Sequence, residues 1–207
     1  MEPHEINRLQ ALLDREELFD LVRRERFARD QQRFDVMEAC FHADAYIRTS
    51  WYDGRGGKAY VEATRKWMEK SSTGKHWVFP ALATIVGDRA TVESPAMIFN
   101  RLDVDGTEVD YYVFCRFFSR AVRQDKAWKL MSFEVLFERD ALYPVNAGEA
   151  LAIDPRALGA LRPSYRFLSY IQSKRGVTVN PDLLGDDRPD RLAAFHQGED
   201  RWLAGGE

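Results

Sequence analysis

The chain has little of what would fix it in an oxidising compartment, a lipid bilayer or a complex with nucleic acid. Only two cysteines, Cys40 and Cys115, stand among its 207 residues. Both sit in apolar stretches, as small buried hydrophobes in a reducing cell do, and two such residues make no disulfide framework. No apolar run approaches the roughly 18 residues that a membrane-spanning helix needs, and the polar stretch from Met1 to Gln10 has no signal-like apolar core. The expected setting is therefore the cytoplasm, with no membrane partner. Thirty Lys and Arg against 33 Asp and Glu leave a net charge of -3, with no basic block to neutralise phosphates, so no nucleic-acid partner is expected. Gly54, Gly56 and Gly57 precede a helix but lack the Walker Lys-Ser/Thr and the spacing of a dinucleotide fingerprint. The four histidines, His4, His42, His76 and His196, are scattered, and neither cysteine belongs to a Cys-x-x-Cys pair. There is no Gly-x-Ser-x-Gly elbow to supply a hydrolase nucleophile. The expectation is a protein that works without metal or cofactor.

What the chain does have is core-forming material, with 45% hydrophobic and 13% aromatic residues, enough for one domain, or one domain plus an extension. Leu18, Leu21, Val22 and Ala28 recur at helical spacing and predict a helix from about Asp14 to Gln31, with Asp14 and Glu17 as its cap. A short helix is predicted from Phe34 to Phe41 and a short strand from Ala45 to Trp51. Tyr60, Val61, Thr64, Trp67 and Met68 mark a third helix ending near Gly74. Beyond it the pattern changes to strands: His76 to Val86, Ala90 to Leu102, Glu108 to Arg120 and Trp128 to Phe137, joined by turns such as Asp105-Gly106. These read as an antiparallel meander.

Parity within the third of these strands separates an apolar face (Tyr111, Val113, Cys115, Phe117) from one that mixes aromatics with Asp110 and Arg116. The mixed face is either a pocket wall or a partly exposed sheet surface. From Pro144 the chain becomes proline-punctuated, with helical patterns at Ser164 to Arg175 and Pro189 to Leu203. The expected fold class is α+β, a cone-shaped curved antiparallel sheet packed against three N-terminal helices. The cone domain is placed at 1–145 and a helical extension at 146–207, docking on the domain or on a neighbouring subunit. An uncovered outer sheet face of that size implies a homo-oligomer, a dimer or trimer.

Three side chains stand out as acid–base candidates. Stepping about 100° per residue puts Glu25 in the middle of the apolar stripe of the first helix, where a carboxylate needs a partner. It is either ion-paired to a neighbouring arginine or functional. Asp30 lies about 140° further round by the same geometry, where a solvated carboxylate is the plainer reading. His76 opens the first long strand beside Trp77, Val78 and Phe79, either as a satisfied core residue or, if a carboxylate orients it, as a general base.

The stretch from Leu21 to Asp30, the following Phe34-Asp35, the Phe41-His42-Ala43-Asp44-Ala45 junction, Thr73-Gly74-Lys75-His76 and Trp128-Lys129-Leu130 resemble the SnoaL-like family of the nuclear-transport-factor-2-like superfamily. This is the group of scytalone dehydratase, bile-acid dehydratase and hexachlorocyclohexane dehydrochlorinase. The resemblance runs from about Leu12 to Leu142. It implies a dyad of Asp30 and His76 that removes a proton beside an activating group while a leaving group departs, without a cofactor. The family's helix Tyr is Glu25 here, its second sheet histidine falls near Asn100, and its late Arg is Phe133. Glu25 is then the acid candidate, with Tyr52, Tyr112, Arg116 and Asn100 as candidate substrate contacts. The function this implies is a dehydratase-type lyase acting on a hydrophobic cyclic small molecule. The alternatives are an isomerase using the same proton abstraction, or a non-catalytic binding or assembly module of the same fold.

Overall fold

A computed structural model describes residues 2–70 and 74–206; Thr73 of the sheet-entry motif lies outside them. Helix α1 (Pro3–Asp30) begins well before the Asp14 start that periodicity predicts. Its first turn is held by a capping box between Glu2 and Glu5, with Pro3 at the first helical position. Apolar spacing cannot reveal such a start, because Ile6, Leu9, Leu12 and Leu13 on these early turns are exposed. Further along, Asp14, Leu18, Leu21, Glu25 and Ala28 form the buried stripe, and Arg26 and Arg29 are buried beside it. The inward face of α1 is therefore apolar in the middle and charged towards its C-terminus. Charges in such a place require partners, and those partners build the site.

Helix α2 (Phe34–Cys40) leads into strand β1 (Phe41–Arg48), and β2 (Asp53–Arg55) precedes helix α3 (Gly57–Lys70). A Cβ on Gly57 would collide with Cβ of Phe41 and stand 3.0 Å from the His42 carbonyl oxygen. Only glycine lets α3 start this close to β1, which sinks Tyr60, one turn on, to 1% exposure.

The remaining strands are β3 (Lys75–Val78), β4 (Leu82–Val86), β5 (Arg89–Val104), β6 (Thr107–Gln124) and β7 (Ala127–Pro144). The sheet order is β2-β1-β7-β6-β5-β3, and β4 also pairs with β5. Two features differ from the predicted antiparallel meander. The predicted strand from His76 to Val86 is two strands, because Pro80 between them has no N–H for a ladder. Strand β1 pairs in parallel with β7, so the sheet is mixed and open. Register shifts between β6 and β7 at Phe114/Cys115 and at Phe118/Ala121 bend it around α1. The pairs Ile98↔Val113, Ala96↔Cys115 and Ser94↔Phe117 form the inner face, and His76↔Ile98 puts His76 in the same layer. Tyr112, Phe114, Arg116 and Phe118 alternate onto the outer face.

The extension runs along both ends and the back of this sheet. After α4 (Pro155–Gly159) and a short 3-10 turn (Pro163–Tyr165), helix α5 (Arg166–Lys174) lies over the open end of the inner face. It is held there by Leu168 N–H to Asp140 Oδ2 at 2.7 Å and Gln172 Nε2 to Ser50 Oγ at 2.8 Å. Helix α6 (Pro189–Leu203) covers part of the outer face: Phe195 meets Phe118 edge-on at 5.0 Å, and Arg120 makes a two-pronged ion pair with Glu199 at 2.7 and 3.0 Å. Phe118 and Leu136 are buried under this cover. Part of the outer face from which an oligomer was expected is thus covered within one chain, while Tyr143 of β7 stays exposed. Among the described residues no helix is long and apolar enough to cross a membrane.

Candidate active site

The end of α1 and the start of β3 meet at Asp30 and His76. Asp30 Oδ1 lies 2.7 Å from His76 Nδ1, and its Oδ2 accepts the backbone N–H of the same residue at 2.7 Å. The carboxylate also takes Arg29 Nη1 at 3.0 Å, and that nitrogen donates to the Gly74 carbonyl at 2.7 Å. Helix and strand are so pinned together by one carboxylate. An accepting oxygen opposite Nδ1 keeps the proton on that nitrogen and leaves the lone pair on Nε2, on the far side of the ring.

The electrostatics favour a neutral imidazole beside an ionised carboxylate. His76 has a side chain only 5% exposed; burial first and the Arg29 charge second pull its pKa down to about 3, against the opposing hydrogen bond to Asp30. Burial alone would raise Asp30, but His76 and Arg29 outweigh it and bring its pKa down to about 2. At neutral pH His76 therefore carries a free lone pair, and any proton it takes is stabilised by Asp30 and opposed by the arginines.

His76 lines two neighbouring spaces. The inner one, about 40 Å³, is walled by Arg26, Tyr60, His76, Phe117 and Phe133. The outer one, about 110 Å³, is lined by Trp51, Trp67, His76, Asn100, Tyr111 and Gln172. Arg29, Ser50, Trp51 and Ile98 border both. In the inner space the Arg26 guanidinium lies over the Phe133 ring at 4.4 Å and donates to the Tyr60 hydroxyl at 3.3 Å. The family's late arginine is absent at Phe133, and a guanidinium from α1 stands on that ring instead.

Glu25 is not at this cavity. Its side chain is 1% exposed and both of its oxygens are bound by Arg26 Nε and Nη2, so it faces Arg26 and its expected part as acid has no geometry behind it. The arginine that satisfies it is its chain neighbour, one of those the sequence offered. Of the expected substrate contacts, Asn100 lines the outer space. Tyr52 packs behind it on the rings of Trp51 and Tyr60. Tyr112 and Arg116 are on the opposite face: Tyr112 packs on Tyr143, and Arg116 is ion-paired with Asp186, Glu93 and Glu138. The mixed face of β6 is thus an outer surface, and its apolar face is the cavity wall. Arg26, Tyr60, Trp51, Tyr111 and Gln172 escaped the sequence reading. A buried arginine beside Glu25 was the one signal in the chain for Arg26, whereas Gln172 belongs to a helix whose docking site nothing local encodes.

Residues 10–134 match the SnoaL-like domain. The chain belongs to the SnoaL-like family. This SnoaL-like chain is 27% identical over 186 residues to pea pathogenicity protein 2 of Fusarium vanettenii, covering 86% of the chain and 80% of that protein. Its fold is similar to a hexachlorocyclohexane dehydrochlorinase (LinA) type 2, with a TM-score of 0.60 at 14% identity over 70% of this chain and 99% of that one. It is likewise similar to a proposed scytalone dehydratase of Novosphingobium aromaticivorans, with a TM-score of 0.55 at 17% identity over 70% of this chain and 97% of that one. Helix α5, which closes the outer space, lies beyond the residues matched to the SnoaL-like domain.

Proposed function

We propose that the protein is a cofactor-independent lyase of the dehydratase type, acting on a hydrophobic cyclic molecule in which a carbonyl activates the neighbouring C–H. The observation that carries this reading is a neutral histidine, 2.7 Å from an ionised aspartate, in a cavity wall shared with Arg26 and Tyr60. His76 Nε2 takes the proton α to the carbonyl. The electrons left behind form an enolate whose oxygen is received by Arg26 and Tyr60, donors held in a water-poor site where such contacts are strongest. Collapse of the enolate forms the new C=C bond and expels the β-hydroxyl, which leaves as water with the proton that His76 returns. The residue thus serves in turn as base and acid, and no separate acid is needed. A positioned base of this kind contributes about 10²–10⁴-fold, and confinement of the substrate beside it supplies a further share.

The fold similarity to a dehydrochlorinase and a proposed dehydratase supports elimination over other uses of the fold. The test is incubation with 3-hydroxy-1-tetralone, whose dehydration gives 1-naphthol, followed by naphthol fluorescence in ordinary water and by mass spectrometry in heavy water. Naphthol formation that His76→Ala abolishes is the expected result. Deuterium uptake without loss of water points to an isomerase, and saturable binding with neither change points to a binding module; both overturn the proposal.

A further inference from the structure

Every charged side chain that lines the two spaces at His76 is an arginine. Arg26 and Arg29 border the inner one, Arg29 and Arg175 border the outer one, and among the described residues no Asp or Glu lines either. The counter-charges are engaged elsewhere: Glu25 binds Arg26 with both oxygens, and Asp30 turns its own to His76 and to Arg29 Nη1. Arg29 is 6% exposed, yet the nitrogen it commits is Nη1, to Asp30 and to the Gly74 carbonyl. Its Nη2 donates to no described residue and is not fully buried, so it opens on the spaces that Arg29 borders. A buried guanidinium with donors to spare suits an oxyanion, because charge-assisted hydrogen bonds are the strong ones and gain most where water is scarce. Arg175, exposed at the end of α5, brings a second positive charge to the rim of the outer chamber. Trp51 and Trp67, stacked 5.0 Å apart and 11° from parallel, line the same chamber.

We infer that the outer chamber recognises a carboxylate carried by a planar ring ligand, with Arg29 Nη2 as its buried donor and Arg175 as the second cation, supplied by α5. The ring rests on the tryptophan wall, a flat surface that suits it. The inference rests on this cavity being the ligand site, and it narrows the substrate from a hydrophobic cyclic molecule to a cyclic acid. The chain as a whole carries a net charge of -3, so its overall field disfavours an anion and a preference for one has to be local. Arg29 and Arg175 are specificity-determining residues here, with no part in the proton transfer.

The test is equilibrium dialysis of the full chain at low salt against 2-naphthoate and 2-naphthamide, a pair alike in shape and unlike in charge that no lyase activity converts. Wild type is expected to bind the naphthoate at least about tenfold more tightly. In Arg175→Gln, at an exposed position away from Asp30 and Glu25, the ratio should fall at least about threefold while naphthamide affinity stays within about twofold. In Arg29→Gln it should fall to about one or below. Arg29 also braces Asp30 and Gly74, so that variant is scored only if it melts cooperatively, and Arg175→Gln decides the matter if it does not. Acetate has the charge without the ring, and at about tenfold excess it should leave the naphthoate bound; displacement would show a small-anion site and overturn the inference. His76→Ala should keep the preference, so failure of the elimination chemistry would leave this result untouched. Equal binding of the two probes by wild type, or a preference undiminished in Arg175→Gln, overturns the inference.

Discussion

Acidification should weaken the fold through His76, by an amount that follows from its burial. In the folded protein the imidazole is held down to about 3, against about 6.5 in an unfolded chain. Between these values the unfolded chain binds a proton at this residue and the native one does not. Stability present at neutral pH is therefore lost as the pH falls from 6.5 towards 3. Between pH 6.5 and pH 5 the loss is about 2 kcal/mol, at about 1.4 kcal/mol per pH step. Asp30, lowered to about 2 from 3.8, releases its share only below about pH 4, outside the interval from 7 to 5. Asp140 acts in the opposite sense. Burial lifts its pKa to about 6, against the pull of backbone N–H groups of Leu168 and Phe167, so it takes up a proton on folding and adds stability as the pH falls through 6. The total curve is thus a sum of opposing slopes, and the His76 part emerges as the difference between wild type and His76→Gln. Urea unfolding followed by tryptophan fluorescence at pH 7 and pH 5 should show wild type losing about 2 kcal/mol more than the variant, or about 4–8 °C in melting temperature. Parallel pH dependences in the two proteins would refute a buried neutral histidine.

The other expectations are more local. Asp30→Asn removes the charge that faces His76 and Arg29 and should cost about 3 kcal/mol in urea unfolding; on a substrate that turns over it should lower kcat by about 10³–10⁴-fold, the scale of the equivalent swap in the serine-protease triad. Glu25→Gln leaves the Arg26 charge buried without its counter-ion and should cost about 3–5 kcal/mol in the same assay, with no compensating change in the pH profile of activity. Gly57→Ala forces α3 away from β1 and should cost about 1–3 kcal/mol, with quenching of the Trp51–Tyr60 cluster altered in the fluorescence spectrum. The acid limb of kcat/KM should lie well below pH 6, since the base is already unprotonated there, and an ordinary limb near 6.5 would count against His76 as that base.

The elements themselves were legible because each depends on local chemistry. Helical spacing in α1 and α3, alternation in β5 to β7 and the Asp105-Gly106 turn, where both residues take positive φ, are short-range patterns that tertiary contacts had no cause to override. The pairing of Asp30 with His76 was available only by resemblance: helix geometry sets Asp30 aside from the buried stripe, and 46 positions separate the two partners. Other outcomes were settled wholly by the assembled fold. Parity alone separates the two faces of β6 without saying which one is inward, and the apolar face, not the aromatic and charged one, turned out to line the cavity. Glu25 was recognisable as a carboxylate in need of a partner, but which arginine bends back to it depends on the space that Tyr60, Phe117 and Phe133 leave. The parallel pairing of β1 with β7, the roof that α5 makes over the cavity and the cover that α6 makes on the outer face join residues far apart in the chain. Their energies come from burial and ion pairs formed only when the sheet already exists, so no window of sequence contains them.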